Sequence, residues 1–232
     1  MAEFLPAFAK TNGNEGGVSF NPGDLGNVVV KGIVVIPTYK GIAPVSHPKW
    51  SGWKYISGVI AVLTPMPAYG TDAHVNWARH LNRKLAELPA LQNLVIEFYR
   101  RNFWDANRLG EITSQPVAEW AYDHVVNAGG RGAMWIQLAA RVTPDGDIGT
   151  KSIAAINAAD PEALLNRAED IAGAFRLDRA HNKSSQIQFL TSWLRRDGQP
   201  EEIIAMVRKA AADGVLDATE VATLKTAMAA TA

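Results

Sequence analysis

The sequence contains no cysteine among its 232 residues. Disulfide bonds, thiol catalysis and cysteine-ligated zinc sites are therefore excluded. Neither sign of charge is in excess, since 23 Lys and Arg balance 23 Asp and Glu, and such a chain is not expected to bind nucleic acid. No apolar run approaches the ~20 residues of a transmembrane helix. The N-terminus also lacks the basic and long apolar segments of a signal peptide, so we expect a globular protein without a membrane span.

Sequence motifs for metal, phosphate and serine chemistry are missing too. The five histidines form no H-x-x-x-H or H-E-x-x-H pattern, the spacing that places two zinc ligands on one helix face. There is no P-loop, no dinucleotide-binding glycine motif and no G-x-S-x-G nucleophile elbow. We therefore expect no cofactor and no metal ion, and carboxylates remain as the candidate catalytic groups.

Hydrophobic periodicity predicts a mainly α chain with a small β or irregular lobe near the front. Apolar residues recur at helical spacing after Asp72, a candidate N-cap, and again after Pro89. Later helices are predicted over residues 116–127, 130–141, 161–180 and 184–196, with two more after Pro200. The run V-V-V-K-G-I-V-V-I-P, residues 28–37, predicts a short strand or hairpin.

The first helix leads to an acid in an unusual place. Its apolar face, which begins with Phe4, is predicted to continue through Leu5, Phe8 and Asn12 to Glu15. The glycine pair that follows supplies the stop, because glycine readily takes a left-handed conformation after a helix. A helix C-terminus and apolar neighbours both disfavour an ionised carboxylate, so both raise the pKa of an acid. The position of Glu15 therefore fits a carboxyl group that stays protonated and acts as a general acid.

Asp24 follows Glu15 across a turn-rich stretch, G-G-V-S-F-N-P-G. Glycoside hydrolysis uses an acid that protonates the leaving oxygen and commonly a second carboxylate across the sugar. Spacing alone leaves an alternative open, in which Glu15 is a solvated acid after a frayed helix end and Asp24 is a turn former.

Residues 15–33, E-G-G-V-S-F-N-P-G-D-L-G-N-V-V-V-K-G-I, resemble the signature of glycosyl hydrolase family 108, the phage-type N-acetylmuramidases. The family pattern, close to E-G-G-Y-x-x-x-P-x-D-P-G-G-x-T-x-x-G-I, aligns with them without a gap. Later segments such as H-P-K-W-S-G-W-K-Y-I and F-Y-R-R-N-F-W-D are similar to segments of some members. The stretches D-G-D-I-G-T-K-S-I-A-A-I-N and N-K-S-S-Q-I-Q-F-L-T-S-W-L-R-R resemble the peptidoglycan-binding domain that usually follows.

The resemblance implies a lysozyme-like helical domain over residues 1–114 and a helical peptidoglycan-binding domain, packed on it, over 115–196. A helical hairpin extension at 197–232 lies beyond the resemblance. The resemblance further implies cleavage of the β-1,4 bond between N-acetylmuramic acid and N-acetylglucosamine, with Glu15 as the catalytic acid and Asp24 as the second acid. Peptidoglycan glycan strands would be the partner. A phage or prophage endolysin of this kind would be made in the bacterial cytoplasm and act in the periplasm or at the cell wall after release.

Several residues depart from the family pattern. The tyrosine after E-G-G is replaced by Val18, and the motif threonine falls at Val29, which has no hydroxyl to hold an attacking water. This departure predicts a slow hydrolase; the alternative is that another group, Asn27 or Thr38, holds the water. Asn27 itself takes the place of a glycine and tolerates a left-handed backbone better than most residues. The alternative to an active enzyme is a catalytically weakened peptidoglycan-binding or secretion-associated protein that retains the fold.

Four residues are candidates for substrate binding: Trp50, Trp53, Trp104 and Asn27. Aromatic rings stack on the apolar faces of sugars, although tryptophan is more often found in a core. In the C-terminal tail, Asp217 and Glu220 have the spacing of a capping box at the start of a last helix.

Overall fold

The computed structural model describes residues 1–12, 16–63 and 65–231. Helices occupy most of this part of the chain. They are α1 (Phe4–Asn12), α2 (Trp53–Val62), α3 (Asp72–Ala86), α4 (Pro89–Tyr99), α5 (Gln115–Ala128), α6 (Gly130–Ala139), α7 (Thr150–Ala158), α8 (Pro161–Asn182), α9 (Ile187–Asp197), α10 (Glu201–Ala210) and α11 (Ala218–Thr231). Short π and 3-10 segments occupy Arg100–Asp105, Leu109–Glu111, Ser184–Gln186 and Ala211–Asp213. None of the helices in the described residues is long and apolar enough to span a bilayer.

The chain forms two compact units. The lobe unit comprises residues 8–102, and the helical unit comprises residues 1–7 together with 103–232. The domain boundaries after residues 114 and 196 remain predictions from the sequence. The prediction of a mainly α chain with a small β lobe near the front is confirmed, because the four short strands all lie between residues 18 and 39.

The buried face of α1 differs from the one predicted. Leu5 is 62% exposed, whereas Phe4 and Ala7 are buried. The reason lies in the aromatic partners of Phe4: its ring is 5.7 Å from Trp104 and 5.8 Å from Tyr122, all within the helical unit. The predicted face was therefore wrong at Leu5. Glu15 lies outside the described residues.

The β part of the lobe unit consists of two antiparallel pairs. The strands are β1 (Val18–Ser19), β2 (Val28–Val30), β3 (Ile33–Ile36) and β4 (Thr38–Tyr39), with β1 paired to β4 and β2 to β3. Of the short strand and the hairpin that the sequence left open for residues 28–37, the structure has the hairpin, and its turn has positive φ at both Lys31 (50°) and Gly32 (78°). Two left-handed residues in succession are typical of the tight turn that suits the twist of a hairpin.

Helices α2, α3 and α4 give the lobe unit its apolar core. Its most buried side chains include Ile42, Ile56, Leu81, Leu85, Leu91 and Val95. Helix α2 was not predicted from the sequence. The start of α3 was predicted one residue late, because Thr71, not Asp72, is the N-cap and its hydroxyl accepts the N–H of His74 at 3.2 Å.

The helical unit includes the C-terminal hairpin in its core. Apolar side chains of α10 and α11, among them Ile204 and Leu224, pack with Leu177 of α8 and Leu194 of α9 in one cluster. Close approach is possible because α8 has Gly173, where a Cβ would lie 2.1 Å from the end of Met228.

The capping box of α11 was predicted correctly. The N–H of Asp217 donates to Glu220 at 2.9 Å, and the N–H of Glu220 donates to Asp217 at 2.8 Å. These reciprocal bonds satisfy donors that the first turn of a helix leaves unpaired.

A buried charge network joins α5, α8 and α9. The carboxylate of Asp197 is fully buried and accepts from His124 Nε2 at 3.1 Å and from Arg176 Nε at 3.3 Å. The indole N–H of Trp120 also donates to the backbone carbonyl of Asp197 at 3.2 Å. Removing the acid would leave the buried guanidinium of Arg176 without this counterion.

We expect Asp197→Asn to lower the free energy of unfolding by about 3 kcal/mol, because breaking a buried ion pair leaves an uncompensated charge. Chemical denaturation measures the change. Glu201→Gln is the matched control, since it breaks the exposed pair with Arg195 and should leave the midpoint almost unchanged. Equal, small effects of both variants would contradict the network's role.

Candidate functional site

Gly17, the second glycine after Glu15, lies against the side chain of Asn82 on α3. Asn82 Oδ1 accepts the backbone N–H of Val18 at 2.8 Å. A Cβ on Gly17 would lie 1.9 Å from the same oxygen, a separation at which atoms overlap. A side chain at the second glycine of E-G-G would therefore displace the Asn82 side chain from this hydrogen bond. Gly16 has open space around it.

Residues after this contact are held by the pairing of β1 with β4. Val18 is opposite Tyr39, and the N–H of Lys40 donates to the carbonyl of Gly17 at 3.1 Å. Helix α4 supports β4 from the other side: the Tyr99 hydroxyl donates to the Lys40 carbonyl at 2.6 Å and Gln92 donates to the Tyr39 hydroxyl at 3.1 Å. Burial raises the pKa of Tyr39, although the Gln92 hydrogen bond partly offsets it, so this phenol stays neutral.

Asp24 forms a turn with one of its two carboxylate oxygens. Oδ1 accepts the N–H of Gly26 at 2.9 Å, and the backbone carbonyl of Asp24 accepts the N–H of Asn27 at 3.1 Å. The other oxygen, Oδ2, has no hydrogen-bond partner in the described part of the chain. Asp24 therefore makes the contact expected if it is a turn former. Its Oδ2 is still available to act as the second carboxylate.

Asn27 joins the Asp24 turn to β4. Its side chain is buried (4% exposed), accepts the N–H of Thr38 at 2.5 Å and donates to the carbonyl of Asn21 at 2.9 Å. The backbone of Asn27 does not have a positive φ, so the left-handed conformation considered from the sequence is not used. The structure gives Asn27 a bracing contact, and its role in substrate binding remains a prediction.

Thr38 carries a buried hydroxyl beside the Asp24 turn. Its Oγ1 has no hydrogen-bond partner among the described residues. A Cβ on Gly26 would lie 2.9 Å from this hydroxyl and 3.1 Å from Asp24 Oδ1, so both oxygens flank the same point. Val29, at the motif threonine position, is instead 38% exposed on β2.

Residues 46–51, which include Trp50, form one wall of an open cleft of about 590 Å³ in the lobe unit. Trp53 is buried and its indole N–H donates to the His47 carbonyl at 2.7 Å. Trp50 packs edge-on against Trp53 at 4.8 Å and lies over Gly52, where a Cβ would come within 2.2 Å of its ring. The glycine is thus needed to seat the Trp50 ring.

Charged side chains line the same cleft beside Trp50. Lys49, Glu97 and Arg101 are exposed there. The indole N–H of Trp50 is buried and has no partner in the described residues. Trp50 is therefore the candidate tryptophan that faces a cleft, and its role in binding substrate remains a prediction.

The other two candidate tryptophans are largely enclosed. Trp53 is 8% exposed and anchors the Trp50 loop. Trp104 is 4% exposed and belongs to the helical unit, where it packs between Phe4 and Tyr122. Both tryptophans therefore lie in the core, the position that the sequence left open as the alternative to substrate binding.

Sequence reasoning missed Asn82. It lies between the buried Leu81 and the exposed Arg83 on an amphipathic helix, and its partner is 64 residues away in the sequence. Nothing local distinguishes it from a surface asparagine. The indirect signal was the second glycine of E-G-G, whose missing side chain implies a close neighbour.

Comparison with known proteins matches residues 8–129 to the family Glycosyl hydrolase 108 and residues 131–198 to the family Predicted Peptidoglycan domain. A solved structure of Brucella abortus SagA is similar in fold, with 20% sequence identity and a TM-score of 0.51 over 93% of this chain and 97% of that chain. No match was found among curated proteins.

The first family match spans more than half of the chain, includes both candidate acids and ends just before α6. The matched region also contains Gly17, Asn82 and the Asp24 turn, whose contacts order the β part of the lobe unit. The family implied by the sequence pattern is thereby confirmed: the chain belongs to glycosyl hydrolase family 108 and is a glycoside hydrolase with a peptidoglycan-binding domain.

Proposed function

We propose that this protein is an N-acetylmuramidase that cleaves the β-1,4 bond between N-acetylmuramic acid and N-acetylglucosamine, with Glu15 as general acid. Family membership supports a peptidoglycan hydrolase in general. The observation that carries the finer proposal is the anchoring of the segment that follows Glu15. Asn82 and β4 hold Gly17 and Val18 from two sides, which is the backbone control that a positioned catalytic acid needs.

Bond cleavage by this arrangement requires one proton and one water. The Glu15 carboxyl donates its proton to the glycosidic oxygen, and the departing bond leaves its electron pair on that oxygen. Positive charge then develops on the sugar, and the negative charge of Asp24 stabilises it through the unpartnered Oδ2. Water adds to the sugar carbon, and its proton returns to a carboxylate.

The Thr38 hydroxyl takes the place of the motif threonine in this proposal. A buried hydroxyl without a protein partner carries a desolvation cost unless a water meets it. The Thr38 hydroxyl and Asp24 Oδ1 both lie close to Gly26, so a water bound to Thr38 would lie beside the Asp24 turn. Val29 has neither a hydroxyl nor a buried position.

Origin and place of action are also part of the proposal. An endolysin of phage or prophage type, released to the cell wall, fits a peptidoglycan hydrolase of this family. Its substrate is the glycan strand of the wall, and the peptidoglycan-binding domain keeps the enzyme on that polymer.

A catalytically weakened wall-binding or secretion-associated protein is the second candidate. Its specific support is Val29, which removes the motif hydroxyl from β2. The two candidates make opposite predictions for turnover, since a binding protein would hold peptidoglycan without releasing fragments.

The end groups released from purified peptidoglycan test the proposal. Digests are reduced with borohydride and analysed by mass spectrometry. A muramidase leaves a reduced muramic acid end. Reduced glucosamine ends or 1,6-anhydro ends would assign a different bond or a different reaction, and no release at all would favour the binding protein.

We expect Glu15→Gln to abolish clearing of a peptidoglycan suspension, because the amide cannot donate the proton that the leaving oxygen needs. The free energy of unfolding, measured by thermal denaturation, should change by less than about 1 kcal/mol, as for a near-isosteric change at a functional site.

Asp24→Asn is the matched comparison, because an asparagine Oδ1 can still accept the Gly26 N–H and keep the turn. Its rate should fall less than that of Glu15→Gln. If Asp24→Asn were the less active of the two, the roles of the two acids would have to be exchanged; full activity of Glu15→Gln would refute the assignment.

We expect Thr38→Val to slow turnover by about tenfold, which corresponds to about 1.4 kcal/mol of barrier, because the change removes the hydroxyl but keeps the shape. Val29→Thr serves as the control and should leave the rate unchanged, since residue 29 is exposed. Initial rates on solubilised glycan strands measure both. A faster Val29→Thr together with an unaffected Thr38→Val would place the water at the family position instead.

A further inference from the structure

Three arginines line one cleft of the helical unit. The cleft has a volume of about 540 Å³ and is lined by Arg131, Arg176 and Arg179 together with Phe175 and Met134. No Asp or Glu belongs to its lining in the described part of the chain. Since the whole chain has a net charge of zero, this concentration of one sign is a local feature.

Aromatic rings hold each guanidinium group in place. Arg131 lies 4.4 Å above the ring of Phe175. Arg176 lies 4.9 Å from Trp135 and 5.2 Å from Trp193, and Arg179 lies 5.6 Å from Trp193. Cation–π contacts of this kind orient a planar guanidinium without neutralising its charge.

One of the three charges is compensated within the protein and two are not. Arg176 is buried and paired with Asp197. Arg131 and Arg179 are exposed, and neither has an ion-pair partner among the described residues, although Arg179 donates to the Gln186 side chain at 3.2 Å. The cleft is therefore electropositive.

The first turn of α6 adds to the positive potential. Gly130, the first residue of α6, lines the cleft, and the preceding Gly129 provides no side-chain cap. The N–H groups of an uncapped first turn and the helix dipole both favour an anion.

We propose that this cleft binds the free carboxylates of the peptidoglycan stem peptide. The inference rests on the proposed function, since it takes peptidoglycan as the substrate. In that polymer the lactyl carboxyl of muramic acid is joined to the peptide, so the glycan strand carries no charge and the stem peptide carries the free carboxylates. Guanidinium groups bind carboxylates through two parallel N–H···O bonds, and Phe175 and Met134 offer apolar surface to the alanine methyl groups. The volume is that of a small-ligand site.

Binding of the tripeptide L-Ala-γ-D-Glu-meso-diaminopimelate to the full chain tests the proposal by titration calorimetry. The wild-type protein should bind it with an affinity that falls as salt is added. Arg131→Ala should weaken binding by about tenfold or more, as for the loss of a charge-assisted hydrogen bond. Arg131→Lys should recover part of the loss. Arg208→Ala, at an exposed arginine outside the cleft, should bind like wild type, and thermal unfolding should verify that all variants are folded.

Competing ligands identify the chemistry that the cleft recognises. A chitotetraose that displaced the tripeptide, or a glycerol phosphate oligomer that bound while the tripeptide did not, would overturn the proposal. Equal affinity of wild type and Arg131→Ala for the tripeptide would do the same. The tripeptide has no glycosidic bond, so its binding is measured independently of cleavage: a protein with no muramidase activity can still bind it, and an active muramidase can fail to.

Discussion

The contact between Asn82 and the backbone at Gly17 and Val18 positions the start of the β part of the lobe unit. Asn82 Oδ1 accepts the half-buried backbone N–H of Val18 at 2.8 Å, and a side chain at residue 17 would collide with Asn82. Because Gly17 and Val18 also pair with Lys40 and Tyr39, one asparagine on α3 sets the position of both β1 and β4. The segment it holds begins two residues after Glu15 in the sequence.

The positions of the other site residues depend on where β1 and β4 lie. Two-stranded sheets are marginally stable by themselves, so β4 needs the supports that α4 provides through Gln92 and Tyr99. Once β4 is fixed, Asn27 can accept from Thr38 and hold the turn that contains Asp24. The lobe is thus ordered largely by polar contacts to the backbone, and the apolar core lies in the helices behind it.

Much of the helical architecture could be predicted from the sequence, because periodicity and caps are local properties. The capping box at Asp217 and Glu220 follows directly from a short pattern, whereas the pattern at residues 28–37 left a strand and a hairpin open. Leu5 was misplaced because the partners of Phe4 are distant in the sequence.

The candidate site was less accessible to sequence reasoning. The two acids could be nominated from spacing and family resemblance, but the sequence left Asn27 and Thr38 as alternatives for the group that holds a water, and it did not indicate that the Thr38 hydroxyl is buried near Gly26. The Asn82 contact joins residues far apart in the chain, and no local pattern encodes it. Tryptophan patterns were ambiguous for the same reason: Trp50 and Trp53 are three residues apart, yet one faces a cleft and the other is enclosed.

The kinetic effect of Asn82→Ala, compared with that of Asn76→Ala on the exposed side of the same helix, measures whether Asn82 positions the segment that follows Glu15. If Asn82 positions the segment that follows Glu15, its loss should lower kcat on solubilised glycan strands by about a hundredfold, as expected for a misplacement near 1 Å. KM and the folded state should change little, and Asn76→Ala should behave as wild type. An Asn82→Ala enzyme with the kcat of the parent would show that Asn82 does not position this segment for catalysis.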